Sequence, residues 1–294
     1  MLHPVDVAAW GSLGIVKRLA RLPALACVLA CATAGLGRAA PGPHARIPRA
    51  PAALARIIVT THEDVLHAID GWVAHGHPSV GRPPTELTLA VLYEQRIELL
   101  LAQRQRLARA TLRRLPDSIA AELGANLAAK RELWQITPVS HRHRFRTGPA
   151  LPADVLLGYY RGAQRRFGVR WNVLAAVNFV ESAFNKLRND SAAGAQGPMQ
   201  FMPATWRAYG LGGDIRDPHD AILGAANYLH ANGAPRDNRR ALHHYNPSSH
   251  YVDAVLRYAR RIRADRRAFY DYYSRQVFVR TRHGLRRITG PGLR

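Results

Sequence analysis

The chain has 294 residues, 42 Lys+Arg against 20 Asp+Glu, a formal net charge of +22, 47% hydrophobic residues and two cysteines. That length and apolar content support one or two domains with a real core, so no disulfide or metal staple is required, and they exclude a disordered chain. No P-loop, Rossmann fingerprint, EF-hand pattern or paired C-x-x-C occurs, which removes most nucleotide enzymes and zinc modules; the positive charge is almost all Arg and favours polyanionic partners without specifying one.

At the amino end, Lys17, Arg18 and Arg21 precede an apolar run from Leu22 to Leu36, and Ala32-Thr33-Ala34 supplies an A-x-A site. This is the layout of a secretory signal, predicted over residues 1–34, and the run is short for a span that needs roughly 20 residues. The charged segment begins far into the chain, so a start of translation near Val16 is expected. Both cysteines, Cys27 and Cys31, fall within this segment. Val28-Leu29-Ala30-Cys31 also fits a lipobox, with Leu29 the less usual residue, and a lipid on Cys31 would make the membrane a partner. Residues 35–58, rich in Pro, Ala and Arg, read as a linker with no regular element at its Pro-dense part, 41–53.

Thr60 or Thr61 is expected to cap a short helix through about Val73, before a Gly/Pro-rich break at 76–84. From Thr85 to about Leu115 apolar residues recur at helical spacing (Leu89, Leu92, Ile97, Leu100, Leu101, Leu107), and Pro116 stops that helix. Ile119, Leu123, Leu127 and Trp134 define a second stripe, so residues 59–149 read as a helical N-terminal region. Pro152 opens a helix that Gly168 can end, and Trp171 to Glu181 forms another. Further helices are predicted at Pro203–Tyr209, His219–Ala231, Asn238–His244 and Ser249–Arg263. No strand alternation occurs across 150–265. The tail, Val277-Phe278-Val279, His283-Gly284 and Leu285–Thr289, predicts a small hairpin within a basic C-terminal extension over 269–294. The fold class is therefore mainly α.

Glu181 ends the apolar run Val177-Asn178-Phe179-Val180. A carboxylate on the inward side of a buried helix end has its charged form disfavoured, which raises its pKa and suits a general acid near neutral pH. A half-exposed helix-end Glu in an ordinary salt bridge is the competing reading. Further on stand Gly194-Ala195-Gln196-Gly197-Pro198-Met199-Gln200-Phe201, Ala225-Ala226-Asn227-Tyr228-Leu229, and Tyr245-Asn246 before Ser249-His250-Tyr251-Val252. Gly194 and Gly197 permit positive φ and close approach of backbone, and Gln200 offers donors and acceptors for sugar hydroxyl and acetamido groups. Met199 and Phe201 suit either sugar contact or plain core. Ser182 suits either a bond to the Glu181 carboxyl or a cap on the helix–loop junction.

In this order and spacing the segments resemble the lysozyme-like domain of soluble lytic transglycosylases, in the actinobacterial type of murein transglycosylase domain, over residues 150–268. The resemblance implies Glu181 as the catalytic residue and Ser182, Met199, Gln200, Tyr245 and Asn246 as substrate-binding residues, with the Tyr245 hydroxyl approaching the catalytic carboxyl. Pro198, where many relatives have Leu or Ile, and Pro247-Ser248, where many have Ala-Gly or Gly, depart from the family pattern and alter groove-lining backbone. Ordinary glycosidases use two carboxylates. Here no second one accompanies Glu181 in the motifs, and Asp190, Asp214, Asp217 and Asp220 sit where acidic residues commonly cap.

The family's chemistry implies a single Glu acid/base acting on the MurNAc–GlcNAc bond of peptidoglycan, giving 1,6-anhydro-MurNAc ends without water. A hydrolytic muramidase and a non-catalytic wall-binding module are the alternatives. No cofactor and no metal is expected, since His75-x-His77, His141-x-His143 and His243-His244 lack a carboxylate at metalloprotease spacing. His243 and His244 are expected to flank the groove. The expected partners are peptidoglycan strands and anionic wall polymers, not nucleic acid, and the expected location is extracytoplasmic. The Arg-rich stretch after residue 255 reads as an amphipathic helix with its Tyr/Val face inward.

Overall fold

The structure is a computed structural model that describes residues 39–293. The expected signal peptide, with Cys27, Cys31 and the lipobox, lies outside the described residues. The first helix, α1, runs Pro51–His75, with a proline in its first turn. It thus begins inside the segment read as a linker and ahead of Thr60. The reason is its inner face: Leu54, Ile58, Thr61, Val65, Ile69 and Trp72 are all buried at helical spacing, and that burial outweighs the Pro/Ala composition before it.

The long helix expected to reach Leu115 breaks at Arg104, giving α2 (Thr85–Gln103) and α3 (Gln105–Leu112). Arg131 braces the break, donating to Ala102 O and to Leu101 O at 3.1 Å each, the latter also accepting from the Arg104 N–H. The break turns Ala108 into a second apolar cluster with Leu54, Ala55 and Ile58 of α1. Helix α4 (Asp117–Ile136) completes the N-terminal region.

Then come α5 (Ala153–Phe167), closed by left-handed Gly168, α6 (Trp171–Ser182), α7 (Pro203–Tyr209), α8 (Pro218–Ala231), α9 (Asn238–Tyr245), α10 (Ser249–Ala264) and α11 (Arg267–Ser274). The predicted hairpin is present as antiparallel β1 (Phe278–Thr281) and β2 (Gly284–Arg287). The fold is mainly α with a small C-terminal hairpin, as the sequence predicts. Among the described residues no helix is long and apolar enough to cross a membrane.

One hydrophobic cluster runs from Ile69 and Trp72 of α1 through Val91 of α2 and Ala129 of α4 to the inner faces of α5, α6, α8, α10 and α11. The helical N-terminal region and the region after residue 150 thus bury their apolar faces against each other. The C-terminal stretch contributes to this core as well: Phe269, Tyr270, Tyr272 and Tyr273 are buried, whereas the hairpin beyond α11 is peripheral. On α10, Tyr251, Val255, Tyr258 and Ile262 point inward and Arg260 and Arg263 outward, the amphipathic arrangement expected of it.

Arg275 is the exception among the C-terminal arginines. It is 2% exposed and pairs with Glu98 of α2 through two bonds of 2.5 and 2.9 Å, and with Asp271 at 2.9 Å. Asn126 of α4 donates to the same Glu98 and accepts from the Tyr272 hydroxyl, both at 2.7 Å. Three helices are pinned together by one buried polar network.

Asp217 behaves as a cap: its carboxylate accepts from the backbone N–H groups of His219 and Asp220 at 2.8 and 3.0 Å at the start of α8. Asp217→Ala is expected to lower stability by about 1 kcal/mol, read as a small drop in melting temperature, with turnover per folded molecule unchanged.

Candidate active site

Helix α6 ends at Ser182, and the chain then takes a left-handed turn with φ of 51°, 62° and 65° at Ala183, Phe184 and Asn185. Non-glycine residues adopt this conformation only when neighbours hold them there. Phe184 is fully buried and stacks on Phe179 with ring centres 5.6 Å apart. Ser182 supplies the other restraint: its hydroxyl donates to Pro198 O at 2.6 Å and accepts from the Asn185 N–H at 2.8 Å. Of the two sequence readings, Ser182 takes the cap, and it also ties the end of α6 to the Gly197–Gln200 loop.

That loop is closed by reciprocal backbone bonds between Gln196 and Phe201, at 2.8 and 2.9 Å. Gly197 has φ of 74°, and a Cβ there would lie 1.8 Å from the Ile215 carbonyl oxygen. The residue is required by the protein's own packing rather than by approach of a sugar. Gln200 also has positive φ, 52°, and its amide donates to Gly197 O at 2.9 Å, stiffening the turn. Met199 and Phe201 are 0% and 3% exposed and belong to the core. This corrects the expectation that the Met199 side chain touches sugar: it is core, and its carbonyl accepts from the Tyr245 hydroxyl.

Glu181, half-buried on the last turn of α6, receives one hydrogen bond, 2.6 Å long, from the Tyr251 hydroxyl to Oε1. Burial pushes its carboxyl from 4.5 up to about 7, and the Tyr251 hydrogen bond acts in the opposite direction. Tyr251 is its sole side-chain hydrogen-bond partner among the described residues. The ordinary salt bridge of the competing reading is absent among them.

Tyr245 lies beside Glu181 without hydrogen-bonding to it. Its hydroxyl donates to Met199 O at 2.6 Å, while its ring lies parallel to that of Tyr251, 6.4 Å away. The two phenols are both pushed well above their ordinary range, first by burial and then by the negative charge of Glu181, so both lie close to it. Tyr251 is the residue that sequence reasoning passes over. Its spacing with Val255, Tyr258 and Ile262 marks core, and its hydroxyl at the Glu181 carboxyl is a feature of packing that spacing does not carry.

Asn246 caps the end of α9, its N–H bonded to Leu242 O at 3.0 Å, and is half-buried beside Tyr245. His243 and His244 on the same helix are exposed. The Ala225–Leu229 segment lies on packed α8, with Ala225, Ala226 and Leu229 fully buried. Phe201, Trp206, Tyr228 and Tyr245 form an aromatic cluster beneath the loop, with ring centres 5.3–6.4 Å apart.

Tyr251 of α10, Tyr245 of α9 and, through the Tyr245 hydroxyl, the Gly197–Gln200 loop are thus gathered around the Glu181 carboxyl. Residues 158–265 match the family model of the transglycosylase SLT domain. The match supports a lytic transglycosylase domain of the lysozyme-like superfamily over that segment. No curated protein and no solved structure matches the chain. Enzymes with the SLT domain cleave peptidoglycan, so peptidoglycan is the substrate and the cell wall, outside the cytoplasm, is where the SLT domain acts. The matched segment starts in α5 and ends just past α10, and it contains every residue of the site.

Proposed function

We propose that Glu181 is the single acid/base of this lytic transglycosylase and that the enzyme releases 1,6-anhydro-MurNAc ends. The observation that carries the reading is the carboxyl of Glu181, half-buried, raised to about 7 and hydrogen-bonded by Tyr251. Such a group holds a proton at neutral pH and can give it up in the transition state. Glu181 protonates the glycosidic oxygen between MurNAc and GlcNAc, and the C1–O bond breaks with help from the substrate's acetamido group. The carboxylate left behind takes the proton of the muramoyl 6-hydroxyl, whose oxygen attacks C1. The carboxyl is thereby reprotonated and no water is consumed. Proximity favours this internal attack.

Support for one carboxylate comes from Asp190, the next acid along the chain. It is engaged by Arg216 through bonds of 2.9 and 3.0 Å, which hold it below its ordinary pKa, and is not a second partner for Glu181. Digestion of purified peptidoglycan separates the readings: the expected muropeptides are one water lighter than the reducing-end products of a muramidase. Recovery of reducing ends alone would refute the internal attack.

Within this reading Tyr251 orients the carboxyl and tempers its pKa, Tyr245 and Gln200 shape the loop, and Asn246 faces substrate. Tyr251→Phe is expected to lower kcat by about tenfold or more, the scale of one hydrogen bond to an ionisable group. Because that bond lowers the Glu181 pKa, its loss moves the alkaline limb of kcat/KM to higher pH. A merely structural role for the hydroxyl would leave the limb in place.

The wider setting belongs to the proposal too: export directed by residues 1–34, checked by the amino-terminal sequence of the mature protein, or tethering through Cys31. Exposed arginines such as Arg260 and Arg263 would favour anionic wall polymers over nucleic acid, which retention on sacculi against DNA at equal salt tests.

A further inference from the structure

Beyond the left-handed turn, residues 183–190 run beside residues 142–150. Gly148 N–H donates to Lys186 O at 3.1 Å and Arg188 N–H to Arg146 O at 2.9 Å. Behind this pair opens a cavity of about 470 Å³, walled in part by Arg82, Thr88, Thr147, Lys186 and Tyr273. None of its lining residues is acidic.

The Lys186 ammonium is fixed in the wall. It donates to the carbonyl oxygens of Tyr273 and, at 2.7 Å, Arg275, and it stands 5.3 Å from the centre of the Tyr273 ring. Two of its three N–H donors are thus used and one is left. Arg82 is exposed and makes no hydrogen bond or ion pair among the described residues, yet its charge reaches the Tyr273 phenol and lowers its pKa against the effect of burial. The hydroxyls of Thr88 and Thr147 make no hydrogen bond among the described residues either. Two cations flank one aromatic ring in an open space with no counter-charge.

We propose that this cavity binds a carboxylate of the peptide carried on the glycan strand, with Arg82 and Lys186 as its counter-charges. The proposal rests on the peptidoglycan reading, since each muramoyl lactyl group of that polymer bears a short peptide with free carboxylates. The size of the cavity suits several residues of peptide, within the ~300–1,000 Å³ range of ligand sites, and exceeds what a lone compact anion needs. Its wall also contains apolar side chains, Ile288 and Leu293 among them, which suit the peptide's methyl groups better than a phosphate. Lys186 lies five residues after Glu181, so the cavity and the cutting carboxyl are framed by one continuous segment.

The test uses the full chain and two probes, N-acetylmuramoyl tetrapeptide and the same compound with every carboxylate amidated. Calorimetric titration is expected to show binding of the first and at least tenfold weaker binding of the second. Arg82→Gln, a change at an exposed residue outside the catalytic site, is expected to weaken tetrapeptide binding about tenfold or more, the scale of a charge-assisted bond. Turnover of peptide-bearing strands is expected to fall with it, while strands stripped of peptide are cut at the parent rate.

A spectroscopic readout is available because the chain has only Lys17, Lys130 and Lys186 as lysines. Burial lowers the Lys186 ammonium to about 7, and bound carboxylate is expected to raise that titration in 13C-lysine spectra. Equal binding of the two probes, no effect of Arg82→Gln, or displacement of the tetrapeptide by an equal concentration of inorganic phosphate would each overturn the proposal. Failure of the Glu181 reading shows separately, as cleavage of stripped strands by Glu181→Gln at the parent rate.

Discussion

Glu181→Gln is expected to abolish glycan cleavage while making the protein more stable at alkaline pH. The amide cannot donate a proton to the leaving oxygen, and general acid catalysis contributes typically ~10²–10⁴-fold, so turnover drops by at least that factor. The second effect arises from the same burial. The folded-state pKa of Glu181, about 7, lies above its ordinary 4.5, so the folded protein holds this proton longer than the unfolded chain does. Stability from this group is fully present below about 4.5 and is lost as pH rises toward about 7. The loss reaches up to about 3 kcal/mol at 1.36 kcal/mol per pKa unit, and glutamine is spared it. Melting temperatures of the two proteins should coincide near pH 4 and diverge by several degrees at pH 8, the variant higher. Coincidence at both pH values would show that Glu181 is not desolvated. Retained activity would show that it is not the acid.

Arg275→Leu carries the largest expected cost in stability. The substitution leaves Glu98 and Asp271 buried without their cation, and breaking a buried pair on one side costs about 3–5 kcal/mol. For a chain of this size that is on the order of 10 °C in melting temperature. Asp271 is already raised to about 7 by burial, against the pull of Arg275. Without the guanidinium its carboxyl rises further, so the deficit should be smaller at pH 5, where protonation relieves it, than at pH 8. Thermal scans at the two pH values measure this directly. A deficit independent of pH would assign the cost to lost packing instead. Glu98→Gln together with Arg275→Leu should recover part of the loss, because one stranded charge is then gone.

The helices of the site are legible in the sequence because their signals are local. Pro152 with Gly168, and the apolar run ending at Glu181, give α5 and α6 almost to the residue. The start of α1 is masked although its stripe from Leu54 to Trp72 is regular, because the Pro and Ala ahead of it carry the composition of a linker. The break at Arg104 is not legible: it depends on Arg131, 27 residues later, supplying donors to Leu101 and Ala102. In the site, Glu181, Gln200 and Tyr245 can be found because each stands in a fixed motif. The partner of each cannot. Which tyrosine reaches the carboxyl is settled by how α10 packs on α6, and the sequence around Tyr251 reads equally well as core.

The pairing of Glu98 with Arg275 spans 177 positions, and this orders events during synthesis. When the ribosome has delivered α1 through α4, the partner of Glu98 has not been made, and Tyr272, which closes over Asn126, is missing as well. Glu98 and Asn126 therefore stay without these partners until α11 and Arg275 emerge. A chain assembled this way closes its Glu98 network only after the whole matched segment, 158–265, has been made.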